Sequence, residues 1–317
     1  MLEVRVSRKI IEAQGVCSFE LVPLDQAELP PFTAGAHIDV HLGPGLTRQY
    51  SLCNPPHERH RYLIAVLEEP ASRGGSKHLH QRIEEGTQLS VGLPRNLFEL
   101  DLTAERYLLL AGGIGITPLL AMAHVLEAAG KPFELHYCGR DLGRLAFVDP
   151  LKASTLAHHL HVHVDNGPPA QRLDAQRVLA TPQPGDQLYT CGPAGFMAFV
   201  EASAKACGWA DHQIHREDFA AASQGQAGDA PFDIHLARSG KVLEVPCDET
   251  VLDVLLRNGI DVDSSCEQGI CGACITPLLE GEPDHRDQFM TAAEHAAKDR
   301  FAVCCSRARS ARLVLDL

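Results

Sequence analysis

The chain has 317 residues, room for two or three domains at roughly 100–200 residues each. Apolar residues make up 45% of it, ordinary for a protein with real hydrophobic cores. The formal net charge of −13 argues against nucleic-acid binding and for repulsion from anionic surfaces.

The chain opens MLEVRVSRKI, a charged strand pattern rather than an apolar leader. With no export signal in view, the eleven cysteines read as thiols or metal ligands rather than a disulfide framework, and a cytoplasmic location is expected. Residues 2–102 read as short alternating strands. Ile38, Val40 and Leu42 alternate with His37, Asp39 and His41, a half-buried strand; Tyr62 to Leu67 and Gln88 to Val91 look similar. Strands of this length between Gly/Pro turns suggest an antiparallel barrel or sandwich.

Two motifs in this region suit a flat, phosphorylated ligand. Arg48-Gln49-Tyr50-Ser51 follows the Pro44-Gly45 turn; the tyrosine can lie against a ring and the arginine can fork onto a phosphate. Ser72-Arg73-Gly74-Gly75-Ser76 precedes a short helical run, Lys77 to Ile83, and exposed N–H groups at a helix start suit a phosphate monoester. Read alone, the first is a surface strand with a tyrosine and the second an ordinary helix cap.

From Ala104 to Phe219 strand and helix alternate, the pattern of a parallel sheet with crossover helices. Strands are expected at Tyr107 to Leu110, Phe133 to Tyr137, His161 to Val164 and Gln187 to Cys191, and helices from Thr117 to about Ala129 and from Ala194 to Ala206. The uncharged run Tyr107 to Val125 is broken by Gly112, Gly113, Gly115 and Pro118, so no membrane span is expected. AGGIGITP (Ala111 to Pro118) lies between strand and helix. Its glycines let the backbone approach a pyrophosphate, Thr117 can cap the helix, and Pro118 suits its first position. Pro118 stands where the third glycine of the usual dinucleotide fingerprint would be. Cys191-Gly192-Pro193 ends another strand of the same sheet, where open α/β sheets bind ligands.

Residues 220–231, AAASQGQAGDAP, read as a flexible linker. Beyond it, 232–317 mixes strands with one clear helix, Val251 to Asn258. Cys266, Cys271 and Cys274 are spaced C-x4-C-x2-C with further cysteines at Cys304 and Cys305, the plant-type 2Fe–2S pattern. Gly269 and Gly272 let such a loop fold close around the sulfides. Zinc sites usually use paired C-x2-C knuckles, and only one is present. Cys304 and Cys305 are adjacent, and successive strand side chains point to opposite faces, so only one of them is expected to reach the cluster. Cys17, Cys53, Cys138, Cys207 and Cys247 read as small core residues.

RQYSLCN, SRGGS, PRNLFEL, AGGIGITP, CGPAGFM, SSCEQGICGAC, DHRD and CCSRARSARLVLDL, in this order and across the whole chain, resemble the phthalate dioxygenase reductase family, which includes the vanillate O-demethylase reductase subunits. The resemblance implies a multidomain fold: an antiparallel β-barrel flavin domain over residues 1–103, an α/β parallel-sheet nucleotide-binding domain over 104–222, a linker at 223–231 and a β-grasp plant-type ferredoxin domain over 232–317. It implies FMN rather than FAD, held by Arg48, Tyr50, Ser51, Ala65, Val66, Gly75 and Ser76. It implies NADH in a site formed by Gly113, Ile114, Gly115, Thr117, Cys191, Gly192 and Pro193, with Phe219 as an aromatic near the flavin, and Cys191, Tyr50 and Ser51 nearest the chemistry. It implies a 2Fe–2S cluster on Cys266, Cys271, Cys274 and Cys304, with Cys305 as an extra thiol.

The function so implied is an NADH-dependent flavin iron–sulfur oxidoreductase, the reductase component of a Rieske-type aromatic-ring oxygenase or O-demethylase; a monomer away from membranes is expected because every domain has an evident role and no heptads or long apolar run appear. Two other readings remain at this stage: the same redox chain serving a cytochrome or another oxygenase class, and a redox-sensing protein without turnover. Arg140 and Arg144 leave NADPH open.

Overall fold

The computed structural model describes residues 1–25, 27–43, 46–70, 74–219, 229–264, 269, 272–287 and 289–317. They fall into two compact units that divide between Phe219 and Ala220.

The first unit opens with strands β1 (Leu2–Ala13), β2 (Val16–Pro23), β3 (Ala36–His41), β4 (Thr47–Ser51) and β5 (Tyr62–Leu67), helix α1 (Gly75–Arg82), and strands β6 (Gln88–Val91) and β7 (Arg95–Asn96). They join in the order β4-β3-β6-β1-β2-β5, with β7 on β3, each pair antiparallel. A bridge between Leu52 and Ile64 links the end of β4 to β5 and closes the ring. Alternation explains the closure. Val4 and Val6 of β1, Phe19 and Leu21 of β2, Ile38 and Val40 of β3 and Ile64 and Val66 of β5 all turn inward, while their charged neighbours face out. His37 departs from the expected pattern and is buried.

A parallel sheet follows: β8 (Arg106–Gly112), β9 (Phe133–Gly139), β10 (Leu160–Val164), β11 (Asp186–Cys191) and β12 (Ile214–Glu217), interleaved with helices α2 (Ile116–Ala128), α3 (Val148–Lys152), α4 (Ala175–Val178) and α5 (Ala194–Ala206). The order β10-β9-β8-β11-β12 reverses direction between β8 and β11. Ligands bind outside the carboxyl ends of strands at such a switch point. Cys53, Ala65 and Phe98 from the barrel share one hydrophobic core with Leu109, Tyr137, Tyr189 and Cys191 from the sheet. Barrel and sheet are thus packed as one body across the expected boundary at 103/104.

The second unit comprises β13 (Phe232–Leu236), β14 (Val242–Val245), helix α6 (Val251–Arg257), β15 (Ile275–Glu280), β16 (Pro283–Asp284), helix α7 (Ala292–Ala297), β17 (Arg300–Ala302), β18 (Arg307–Ala308) and β19 (Arg312–Leu315). Its main sheet runs β14-β13-β19-β15-β17. The β13–β19 pair is parallel and the rest antiparallel, a β-grasp. Val251, Leu252, Val254 and Leu255 of α6 pack into the core with Ile234, Leu313 and Leu315. Helix α7 was not expected. Its capping box, Thr291 with Glu294, matches that of α6, Thr250 with Asp253, and marks a helix start even without an apolar face. Most of the expected linker lies outside the described residues. Asp229, within it, pairs with Arg286 at 2.5 Å, and the Ala230 carbonyl accepts from Arg307, so these residues belong to the second unit. Among the described residues no helix is long and apolar enough to cross a membrane.

Candidate functional site

The rim of the barrel and the crevice of the parallel sheet meet at Ser51. This residue ends β4 and is buried. Its hydroxyl donates to Glu217 Oε2 at 3.3 Å. Glu217 ends β12 and pairs in register with Cys191, which itself pairs with Ala111 of β8. Three strand ends therefore converge where the two glycine motifs begin. Burial pushes the Glu217 carboxyl up to about 8, the Ser51 bond partly offsets this, and the Asp218 charge adds to it. The sequence reading missed Glu217; an acid at the carboxyl end of the last parallel strand, two residues before the expected Phe219, was the available signal.

Cys191 is fully buried, and burial raises its thiol well above the ordinary range. It is a neutral packing group here and not an activated nucleophile. Ala65 lies in the same core, with Ile114 and Phe219 packed against it. Val66 points the other way, into the barrel interior, and its carbonyl accepts from His80 Nε2 at 2.8 Å. Of the expected pair, only Ala65 turns its side chain toward the shared core. Tyr50 is half-buried against the barrel core, and burial raises its phenol.

The expected phosphate residues also converge. A Cβ at Gly75 would lie 2.5 Å from Arg48 Cγ, so the arginine stem crosses the first residue of α1 through space that only glycine leaves. Ser72 and Arg73 lie outside the described residues. Ser76 Oγ accepts from the Glu69 N–H at 3.1 Å. A guanidinium on a glycine-lined helix start fits a phosphate group.

The nucleotide turn is tighter than expected. Gly113 to Gly115 form a short 3-10 turn that runs into α2, so α2 is capped at Gly115. Thr117 is therefore inside the first turn rather than capping it, and its hydroxyl donates to the Ile114 carbonyl at 3.0 Å. Gly113 has φ +53°, the left-handed region. A Cβ at Gly115 would lie 2.2 Å from the Cys191 carbonyl oxygen, and one at Gly192 would lie 2.9 Å from Gly112 Cα. The two motifs thus abut backbone to backbone. Pro193 caps α5. The donor set and open backbone suit a pyrophosphate at the switch point. Arg144 pairs with Asp141 at 3.5 Å.

In the second unit Cys266 and Cys271 lie outside the described residues. Cys274 and Cys304 are buried, and the Gly269 N–H donates to Cys304 Sγ at 3.2 Å. Hydrogen bonds with Cys274 and then Cys305, together with burial, drive the Cys304 thiol far above its ordinary range. Cys304 and Cys305 sit in a turn after β17, so strand alternation does not separate them and both sulfurs face this cluster of thiols. Gly269 and Gly272 have φ +72° and +74°. A Cβ on the first would lie 2.5 Å from Cys305 Sγ, and one on the second 2.5 Å from the Phe289 ring. Buried sulfurs, a backbone N–H aimed at one of them and a glycine-lined loop fit an iron–sulfur cluster. Of the cysteines expected in cores, Cys17, Cys53 and Cys138 are buried, Cys207 is half-buried and Cys247 is exposed; Cys247 follows β14 and leaves the sheet.

Residues 234–309 match the family of 2Fe–2S iron–sulfur cluster binding domains. Over 317 residues the chain is 53% identical to the vanillate O-demethylase oxidoreductase of Pseudomonas sp. (strain HR199 / DSM 7063), covering 100% of both chains. It superimposes with a TM-score of 0.80 and 40% identity on phthalate dioxygenase reductase, described as a modular structure for electron transfer from pyridine nucleotides to 2Fe–2S, covering 100% of this chain and 98% of that one. A type IV self-sufficient cytochrome P450 monooxygenase is similar at a TM-score of 0.80 and 39% identity, with 100% of this chain and 41% of that one covered.

Proposed function

Because this chain belongs to the phthalate dioxygenase reductase family, we propose that it is the reductase component of a Rieske-type aromatic-ring oxygenase or O-demethylase. It is an oxidoreductase that passes electrons from a pyridine nucleotide through a 2Fe–2S centre to an oxygenase component. The observation that carries the assignment of its site is the meeting of Ser51 at the barrel rim with Cys191 and Glu217 at the switch point of the parallel sheet.

Arg48, Gly75 and Ser76 would hold the phosphate of FMN, with Tyr50, Ser51, Ala65 and the Val66 backbone along its ring system. Gly113, Ile114, Gly115, Thr117, Gly192 and Pro193 would line the NADH pyrophosphate, and Phe219 would lie near the flavin. Cys266, Cys271, Cys274 and Cys304 would ligate the cluster. When bound, flavin exchanges electrons in pairs with the nicotinamide and singly with iron. The residues supply position and field. Cys191, small, neutral and fully buried, would pack beneath the crevice in which a nicotinamide binds. Glu217, whose carboxyl burial pushes up to about 8 and which Ser51 holds, would place little negative charge beside a bound nicotinamide. Hydride transfer needs no general base.

Residues 232–317 hold 15 Asp/Glu and 9 Lys/Arg, a net of −6, which favours a partner with a basic patch. NADH is favoured over NADPH because Arg144 is engaged by Asp141. A reduced, cytoplasmic setting suits cysteines that serve as thiols or metal ligands, and a monomer suits a chain whose modules each have a role. A cytochrome acceptor is the second reading, favoured by the likeness to 41% of the chain of a self-sufficient cytochrome P450 monooxygenase. Anaerobic mixing with NADH and a Rieske oxygenase tests the first reading: the oxygenase centre should be reduced within catalytic turnover times. Reduction of a P450 haem in its place favours the second.

A further inference from the structure

The outer strands of the parallel sheet carry a cluster of imidazoles that the redox chain does not use. Strand β9 places Glu134 and His136 two residues apart, and the edge strand β10 does the same with His161 and His163. The period of two puts all four on one face of the sheet, while Leu135, Tyr137 and Val162 pack into the core on the other. Register sets His161 directly beside His136. The His136 ring stacks on His161 with centroids 4.7 Å apart and on His163 with centroids 5.3 Å apart.

Three ligand atoms converge. His136 Nε2 lies 3.2 Å from Glu134 Oε2, and His161 Nε2 lies 3.7 Å from the same oxygen. One ligand atom from each of the three residues lies within 4.8 Å of the others. Donors bound tetrahedrally to zinc at about 2.0–2.1 Å stand roughly 3.3 Å from one another, so only small side-chain rotations separate this arrangement from a coordination shell. Two nitrogens and a carboxylate oxygen are the donors that Zn²⁺ and its neighbours in the first transition row prefer.

The hydrogen count points the same way. His136 Nδ1 lies 3.0 Å from His163 Nε2, and His163 also hydrogen-bonds the Arg172 backbone. The line from Arg172 through His163 and His136 to Glu134 has three links and an acceptor at each end. Two neutral imidazoles supply one N–H each. If those two hydrogens serve the Arg172 and His163–His136 links, the His136 Nε2 lone pair faces the carboxylate. A cation between them resolves that contact, and the His163 link orients the ring as outer partners of metal-bound histidines do.

We propose that Glu134, His136 and His161 bind a divalent transition-metal ion of the Zn²⁺ class, with His163 as a positioning residue. Glu134 and His161 have side chains 43% and 47% exposed, so the ion is reached from solvent and keeps a position for water. Bound there, it ties edge strand β10 to β9.

The test is equilibrium dialysis of the holoprotein against micromolar Zn²⁺, with bound zinc counted by mass spectrometry. A Cys247→Ser background removes the exposed thiol. One zinc ion per chain should bind, and Glu134→Gln and His161→Ala should each abolish it while the visible absorption of the holoprotein stays unchanged. His163→Ala should weaken binding by about 10–100-fold. Equal zinc in all the proteins, or none in the Cys247→Ser parent, would overturn the proposal.

Discussion

A single methyl group at Gly115 tests how the nucleotide crevice is built. The Cβ of Gly115→Ala would lie 2.2 Å from the Cys191 carbonyl oxygen, 2.3 Å from its carbonyl carbon and 2.6 Å from the Gly192 nitrogen. Carbon contacts are comfortable at about 3.5–4.0 Å, so the deficit is more than an ångström. The obstructing atoms are backbone, and Cys191 is pinned between β8 and β12, so the start of α2 must retreat. Overpacking of this kind costs about 1–3 kcal/mol. A displacement of about 1 Å in a positioning element can cost around 100-fold in rate. We expect kcat/KM for NADH to fall by about 10–100-fold, read by stopped-flow reduction of the flavin, with flavin content and cluster absorption intact. Gly195→Ala, in α5 with no atom within 4 Å of the added group, is the control and should behave as wild type. An unchanged kcat/KM in Gly115→Ala would refute the close approach, and loss of flavin would place the role of Gly115 in the barrel.

The other expectations concern charge and sulfur. Glu217 has a folded-state pKa of about 8 against an ordinary 4.5, so the folded protein keeps a proton that the unfolded chain releases. Stability should fall as pH rises between those values and level off above about 8, and Glu217→Gln should lack that slope in denaturant titrations. Ionised Glu217 opposes the arriving hydride, so flavin reduction should slow as pH rises through about 8 in the wild type and not in Glu217→Gln, as pH-jump stopped-flow would report. Cys304→Ser should lose the iron–sulfur absorption after anaerobic reconstitution while Cys305→Ser keeps it; the reverse result would exchange their roles. Electron transfer to the oxygenase component should weaken with added salt, because exposed charges more than about 8–10 Å apart are screened at physiological ionic strength; a flat salt profile removes the acidic surface from recognition.

Much of the fold was readable because its periods are strong. The alternation in Tyr62–Leu67 and Gln88–Val91 and the helix at Ala194–Ala206 appear with the expected bounds. Turn geometry was less readable. Thr117 looked like a cap, but the 3-10 turn before it begins the helix earlier. The cysteine pair at 304–305 was read by strand rules although it lies in a turn. Helix α7 has no buried residue, so hydrophobic periodicity could not reveal it. Glu217 was missed for a different reason. Its perturbation comes from burial at a junction of three strands, opposed by the bond from Ser51, 166 residues away, and neither is local in sequence.

The most direct measurement is the visible spectrum of the purified, anaerobic protein before and after one equivalent of NADH. Flavin and iron–sulfur bands should both be present at the start, and both should bleach within the mixing experiment. A protein that carries both chromophores yet bleaches neither with NADH would contradict the account.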